Sequence, residues 1–321
     1  MIAAHGGVGF RYERLLSTAC ADALRAGEND VVSTISILED NPLFNCGYGS
    51  NPTMSGTIEC EAGFMSSDGL RFGAVGGVSR LSNPCKVAKA IAYPEDQGEL
   101  VPPMILVGTG AEEWAEKRGF TLEDPEKMMA PGAIHAWRKA RGATLQIGYV
   151  NTLKMDTVGA ISIKGDVAEA CTSSGGLMLK SPGRLGHCAM FGSGTWAERR
   201  GTRSIGVTVS GCGEALLRAN FSRSLAHRLL EKDDDELASS VVHSFFEQQF
   251  LCPDLMSSVA SNRLYAGGLV LLQQDGEPSE LITFHNTPVF PFAYRQGSVV
   301  RKKLSTLPAD ANILVESYPF R

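Results

Sequence analysis

No stretch of this chain approaches the roughly 18 consecutive apolar residues that a membrane-spanning helix requires. No long lysine- or arginine-rich run offers a track for a phosphate backbone, and the net charge is −5. Its eight cysteines, at 20, 46, 60, 85, 171, 188, 212 and 252, never fall in C-x-x-C spacing, which argues against a zinc site. A chain of 321 residues also has no need of a disulfide framework. The first ten residues lack both the basic segment and the apolar stretch of a signal peptide. The expectation is a soluble, intracellular protein with reduced thiols, cytoplasmic or nuclear, with neither a membrane nor a nucleic acid as partner.

What is present suits a globular protein. The hydrophobic share of 43% is enough for a sizeable core, whether in one large domain or two smaller ones. The 35 glycines cluster at apparent strand ends, where they permit tight turns and close backbone approach. A short strand runs into the glycine turn His5–Gly9. The apolar spacing predicts a helix over Tyr12–Ala26, with Leu15, Leu16, Ala19, Cys20, Ala23 and Leu24 on one face. Asp30 can cap a second helix reaching Leu38. A shaped loop follows over Glu39–Ser50, then strands over Ile58–Ala62 and Leu70–Val75, and a helix from Pro84 to Ile91. Met104–Val107 reads as a buried strand, with helices near Ala111–Arg118 and Pro125–Arg141. Weak periodicity marks a linker at about 142–156.

Beyond it, short β-branched runs at Thr157–Ile163, Val167–Thr172, Ile205–Val209 and Gly267–Leu272 read as strands. Helices are predicted at Glu214–Leu230 and Asp235–Gln249. Helices and strands come in blocks, not in strict alternation. Stacked sheets covered by helices, an α+β arrangement, fit better than a doubly wound parallel sheet.

The chemistry centres on Lys154-Met155-Asp156-Thr157-Val158-Gly159-Ala160. If the Asp156–Thr157 bond is cut, Thr157 gains a free α-amine beside its own hydroxyl, a nucleophile and its base on one residue. An α-amine has a pKa of roughly 7.7–8.0, so modest desolvation leaves it able to take a proton near neutral pH. A strand start after a turn explains the same string without chemistry. Ser174, within Cys171–Gly176, would lie beside Thr157 if the two runs form a hairpin turning at Lys164-Gly165-Asp166; a hydroxyl capping a strand end is the plainer reading. Arg184, on the Pro182-Gly183 turn, can read a carboxylate through its planar fork, or can simply be solvated. Ser210-Gly211-Cys212-Gly213-Glu214 ends a strand and opens a helix, a junction suited to an oxyanion or simply to a glycine turn. The His5–Gly9 run has neither dinucleotide nor P-loop spacing, but its backbone can approach a substrate.

Taken jointly, Asn41–Asn51, Ile58–Ala62, Phe72–Gly76, Asp156–Ala160, Ser173–Gly176, Pro182–Gly186, Gly192–Glu198 and Ser210–Glu214 resemble the plant-type asparaginase/isoaspartyl peptidase group of N-terminal-nucleophile hydrolases. Within it the chain looks most like the threonine aspartases. The resemblance implies a four-layer αββα sandwich over residues 1–321, made as one precursor and split into an α subunit, 1–156, and a β subunit, 157–321. These would stay associated, and such units would typically pair. It makes Thr157 the nucleophile and base, Ser174 its helper, and Ser210 and Gly211 the oxyanion hole. Arg184 would hold the substrate carboxylate, with Asn45 and Gly7 lining the pocket. No organic cofactor or catalytic metal is implied; a structural sodium near Leu38–Gly47 is a feature of the asparaginase branch.

His187 departs from that branch, which places an aspartate there to hold the substrate's ammonium. A histidine supplies no fixed negative charge. That, with Asp before Thr157, favours an endopeptidase cutting protein substrates after aspartate. The alternatives are an L-asparaginase or isoaspartyl dipeptidase that tolerates His187, or an unprocessed binding protein. The short linker lacks the long basic loop that relatives use for nuclear import.

Overall fold

The structure, a computed structural model, describes residues 1–9, 14–94, 101–143, 157–259 and 264–320. In chain order its strands are β1 (Ile2–His5), β2 (Cys60–Ser66), β3 (Arg71–Val78), β4 (Ile105–Val107), β5 (Val158–Lys164), β6 (Val167–Ser174), β7 (Thr195–Arg200), β8 (Arg203–Gly211), β9 (Ala266–Gln274), β10 (Ser279–His285), β11 (Val289–Gln296), β12 (Val299–Thr306) and β13 (Leu314–Phe320). The helices are α1 (Arg14–Ala26), α2 (Val31–Glu39), α3 (Pro84–Ala92), α4 (Gly108–Glu116), α5 (Pro131–Ala143), α6 (Gly213–Ala219), α7 (Phe221–Leu230), α8 (Ala238–Phe245) and α9 (Pro253–Met256).

The strands form two sheets, ordered β12-β11-β1-β5-β6-β2-β3-β4 and β13-β10-β9-β8-β7. Alternation along the first sheet explains the layering. Ile2, Ala4, Phe64, Val75, Val158, Ala160 and Cys171 point to one face, into a core shared with α1, α2 and α3. Ala3, Met65, Ala74, Ile161, Ile163 and Ala170 point to the other, into a core shared with the second sheet and its helices. A period of two fits a strand buried on both faces. Two sheets face to face, each covered outside by helices, give the α+β αββα sandwich. β1 is paired between β5 and β11, and β2 pairs with β6, so residues on either side of 157 build one sheet.

Several predicted elements shift on inspection. α1 covers the predicted helix from residue 14 onward; residues 12 and 13 lie outside the described residues. Leu15 stands 63% exposed, because the buried stripe runs through Leu16, Cys20, Ala23 and Leu24. The Asp30 cap forms, its side chain accepting from the Ser33 N–H at 2.7 Å. The strand predicted as buried at Met104–Val107 is the sheet's edge, with Met104, Ile105 and Val107 all exposed. The helix predicted from Pro125 starts at Pro131. Glu214–Leu230 breaks into α6 and α7 at Asn220, whose left-handed φ of 42° ends one helix before the next begins. Most of the 142–156 linker, Asp156 included, lies outside the described residues.

Glu39 ends α2 wholly buried, its carboxylate accepting from the Cys85 N–H at 3.2 Å and the Cys85 thiol at 2.9 Å. Burial pushes its pKa up to about 7. The folded state therefore holds this proton more tightly than the unfolded chain does, and stability falls as pH rises from about 4.5 to about 7. Glu39→Gln mimics the protonated form and is expected to be more stable than the parent by up to about 3 kcal/mol at pH 8, and near equal at pH 4.5. Urea unfolding at the two pH values checks this.

Candidate active site

The same alternation that builds the inter-sheet core delivers the polar residues at one end of it. Thr157 directly precedes β5 and shares the parity of Gly159 and Ile161, which face the second sheet. Ser174 closes β6; the antiparallel register pairs Val158 with Ser173, placing Ser174 opposite Thr157. Their hydroxyls meet at 3.2 Å, Thr157 donating, while the Gly176 N–H donates to Ser174 Oγ at 3.0 Å. The hairpin turn falls at Gly165-Asp166, where the sequence placed it. From the facing sheet, Ser210 near the end of β8 brings its Oγ to the Thr157 N–H at 3.3 Å and to the Val8 N–H at 3.1 Å. With both contacts accepted, the Ser210 O–H remains a donor.

Thr157, Ser174, Gly176, Leu177, Glu61, Arg184, His187, Gly211 and Gly213 line a single pocket of about 240 Å3, its open mouth included. Gly211 must be glycine: a Cβ there would strike the Tyr265 carbonyl. A wider groove between α8 and β13, lined by Ser240, His243, Glu247 and Leu314, contains none of the predicted site residues.

Arg184 lies in this pocket but is already engaged. Its Nε and Nη2 donate to the two carboxylate oxygens of Glu214 at 2.9 and 2.8 Å, a bidentate pair. Glu214 lies in the first turn of α6. The pair fixes the plane of the guanidinium and leaves Nη1 turned toward Gly176 and Gly186. His187 is buried, and its Nε2 donates to the Val209 carbonyl at 3.0 Å. Its pKa is lowered to about 4, chiefly by burial, so the ring is neutral near pH 7 and its Nδ1 is an acceptor. It therefore carries no positive charge and no negative one.

Two expected pocket residues sit one step back. Asn45 is buried, donating through Nδ2 to the Gly176 carbonyl at 2.8 Å and accepting at Oδ1 from the Asn51 N–H. It holds the Gly176 turn. The Gly7 N–H donates to His5 Nδ1 at 3.2 Å, so it is turned into the loop and away from any substrate. The carbonyls of Leu38, Asn41, Cys46 and Gly47, where the resemblance puts a sodium ion, accept hydrogen bonds from within the loop and its surroundings.

His5 and Glu61 escaped the sequence reading. His5 pairs with Gly159 in register, and its ring packs over that glycine; any Cβ at 159 would collide with Nε2. Burial lowers its pKa to about 3, so it is neutral. Glu61 sits on β2 directly opposite Ser174 on β6. The odd parity of Glu61, Gly63 and Met65 could have flagged it, since it sets one acidic residue on the inter-sheet face.

The family model described as asparaginase matches residues 14–277 of this chain. A plant-type L-asparaginase of Pyrococcus furiosus is 31% identical over 71% of this chain and 74% of its own. An isoaspartyl peptidase of Salmonella typhimurium is 31% identical over 86% and 90%, respectively. One from Escherichia coli is 35% identical over 70% and 75%.

Proposed function

We infer that this chain, which belongs to the asparaginase family of N-terminal-nucleophile hydrolases, is a threonine amidohydrolase that cleaves the β-amide bond of small aspartyl compounds, either asparagine or β-aspartyl peptides, after processing at Asp156–Thr157. One observation carries this reading. The pocket beside the Thr157 hydroxyl is small and holds both a guanidinium, Arg184, and a buried carboxylate, Glu61. Such a pair suits a zwitterionic amino-acid head better than a polypeptide. The family relatives named as L-asparaginases and isoaspartyl peptidases support the same side.

In processing, the Thr157 hydroxyl attacks the Asp156 carbonyl; the peptide C–N bond breaks as the acyl group moves from nitrogen to oxygen. Water then cleaves the resulting ester, leaving an Asp156 carboxylate and a free Thr157 amine. The cut would not separate the two segments, because β1 and β2 are stitched between strands that follow Thr157. In turnover, the amine takes the proton of its own Oγ, which attacks the substrate's side-chain amide carbonyl. Ser174, itself polarised by the Gly176 N–H, steadies the hydroxyl. The Ser210 O–H and the backbone at Gly211 face the developing oxyanion. The amine passes its proton to the departing nitrogen, and water resolves the acyl ester. Arg184 Nη1 holds the substrate carboxylate.

A second reading is favoured by one specific observation. His187 is neutral and tied to the Val209 carbonyl, so the position offers no fixed anion for an ammonium. An endopeptidase that accepts a chain continuing N-terminal to its aspartate has no use for one. Mass analysis and N-terminal sequencing of the purified protein, followed by assays on L-asparagine, a β-aspartyl dipeptide and an aspartate-containing polypeptide, separate the readings. Expected are a new N-terminus at Thr157 and turnover of the first two substrates. Cleavage of the polypeptide after aspartate alone would establish the endopeptidase instead, and a chain that stays uncut would leave a binding protein.

A further inference from the structure

Every α-amino acid substrate presents an ammonium as well as a carboxylate, and the residue at 187 cannot balance it by charge. Two carboxylates lie near the pocket. Glu214 is unsuited: its charge is already paired with the Arg184 guanidinium through two parallel bonds, and its side chain is 47% exposed. Glu61 is different. It is 2% exposed, lines the same pocket as Thr157, and is fixed from behind by the Gly186 N–H at 3.1 and 2.9 Å to its two oxygens. A carboxylate has about four acceptor sites, so these contacts leave capacity toward the pocket. Gly186 keeps the charges close together, since a Cβ there would lie 2.5 Å from Glu61 Oε1 and 3.0 Å from Arg184 Nη1. His187 Nδ1, the free acceptor of a neutral ring, faces Gly213 on the same pocket wall.

We propose that Glu61, on β2, is the specificity residue that binds the substrate's α-ammonium, with His187 Nδ1 as a second, uncharged acceptor. The proposal rests on the small-substrate reading above and names the group that makes it selective. The electrostatics fit. Burial raises the Glu61 pKa, while Lys180 and Arg184 act against that rise. Arg184 and Lys180 face Glu61 and Glu214 around the pocket, with Glu59 also beside Lys180. A bound zwitterion leaves that net charge unchanged, whereas a substrate lacking its ammonium would add one negative charge. The carboxylate that position 187 lacks is thus supplied from the strand that carries the partner of Ser174.

The test compares ligands that differ only in the ammonium. Kinetically, L-asparagine is set against succinamate, for the wild-type protein and Glu61→Gln, which keeps the shape and one of the two Gly186 contacts. The expected result is a KM for L-asparagine raised roughly 10- to 100-fold by the substitution, as for loss of a charge-assisted hydrogen bond, with succinamate turnover changed by less than about threefold. Equal losses on both substrates, or no loss on L-asparagine, would overturn the proposal. Titration calorimetry with L-aspartate and succinate gives a reading independent of turnover and of the variant's folding. The wild-type protein should prefer L-aspartate, and Glu61→Gln should erase that preference. A wild-type protein without the preference refutes the role of Glu61 whatever its activity. A preference that Glu61→Gln erases, in a protein that hydrolyses neither L-asparagine nor a β-aspartyl dipeptide, refutes the functional reading and upholds Glu61.

Discussion

Thr157→Ala is expected to leave one uncut chain of 321 residues and to lower amide turnover by more than about 10^4-fold, in line with nucleophile removal in other acyl-transfer enzymes. Alanine removes the only atom that attacks in both steps. Without the hydroxyl, the Asp156–Thr157 bond persists and the α-amine is never released, so nucleophile and base are lost together. The fold should survive. Thr157 is 2% exposed and its hydroxyl's partner is Ser174, which keeps the Gly176 N–H contact when the hydroxyl is gone. Thr157→Ser restores the Oγ and should recover processing in part. Intact-mass measurement over a day at neutral pH, alongside thermal unfolding, reports both claims. Fragments from the alanine variant beginning at residue 157 would sink the mechanism.

Arg184→Ala is expected to lower kcat/KM by roughly 10^2–10^3-fold, carried mostly in KM, because a desolvated charge pair with the substrate carboxylate costs about 2–5 kcal/mol to break. Stability should change little. Arg184's partner Glu214 is nearly half exposed and can be hydrated when left alone. Lysine should not rescue. An ammonium cannot hold Glu214 through two parallel bonds and still present an oriented donor at the position of Nη1. Glu214→Gln, which frees the guanidinium plane, should weaken the same step by a smaller factor. Steady-state kinetics on L-asparagine, with urea midpoints as the stability control, measures all three variants. A KM unchanged in Arg184→Ala would remove Arg184 from the carboxylate site.

The order in which these residues occur already carried much of the site. A threonine after an acidic residue and before a β-branched glycine run, a hairpin of the right length to Ser174, and an arginine on a Pro-Gly turn are local facts. Local backbone rules convert them into positions, because a period of two decides which side chains share a face. Asp30 as a cap and Pro84 as a helix start gave α2 and α3 nearly to the residue. What the rule cannot supply is which edge of a sheet meets water. The apolar run at Met104–Val107 looked buried, yet among the described residues it is the edge of the first sheet. Leu15 kept the helical spacing and still faces outward, since the width of the buried stripe is set by what packs against it.

Pairing across long sequence distances was likewise invisible. Arg184 finds Glu214, thirty positions away, only because β7 and β8 return the chain to the mouth of the pocket. Gly7 was drawn back from the pocket by His5, two residues before it, through a bond that depends on the ring's rotamer and burial. The neutrality of His187 depends on burial between the assembled sheets, which outweighs the opposite pull of the Val209 carbonyl. The sequence by itself determined the candidate nucleophile and the stretch of strand that presents it. Only the tertiary structure decided that the anion beside that nucleophile is Glu61, because charge in a pocket depends on which side chains are desolvated together.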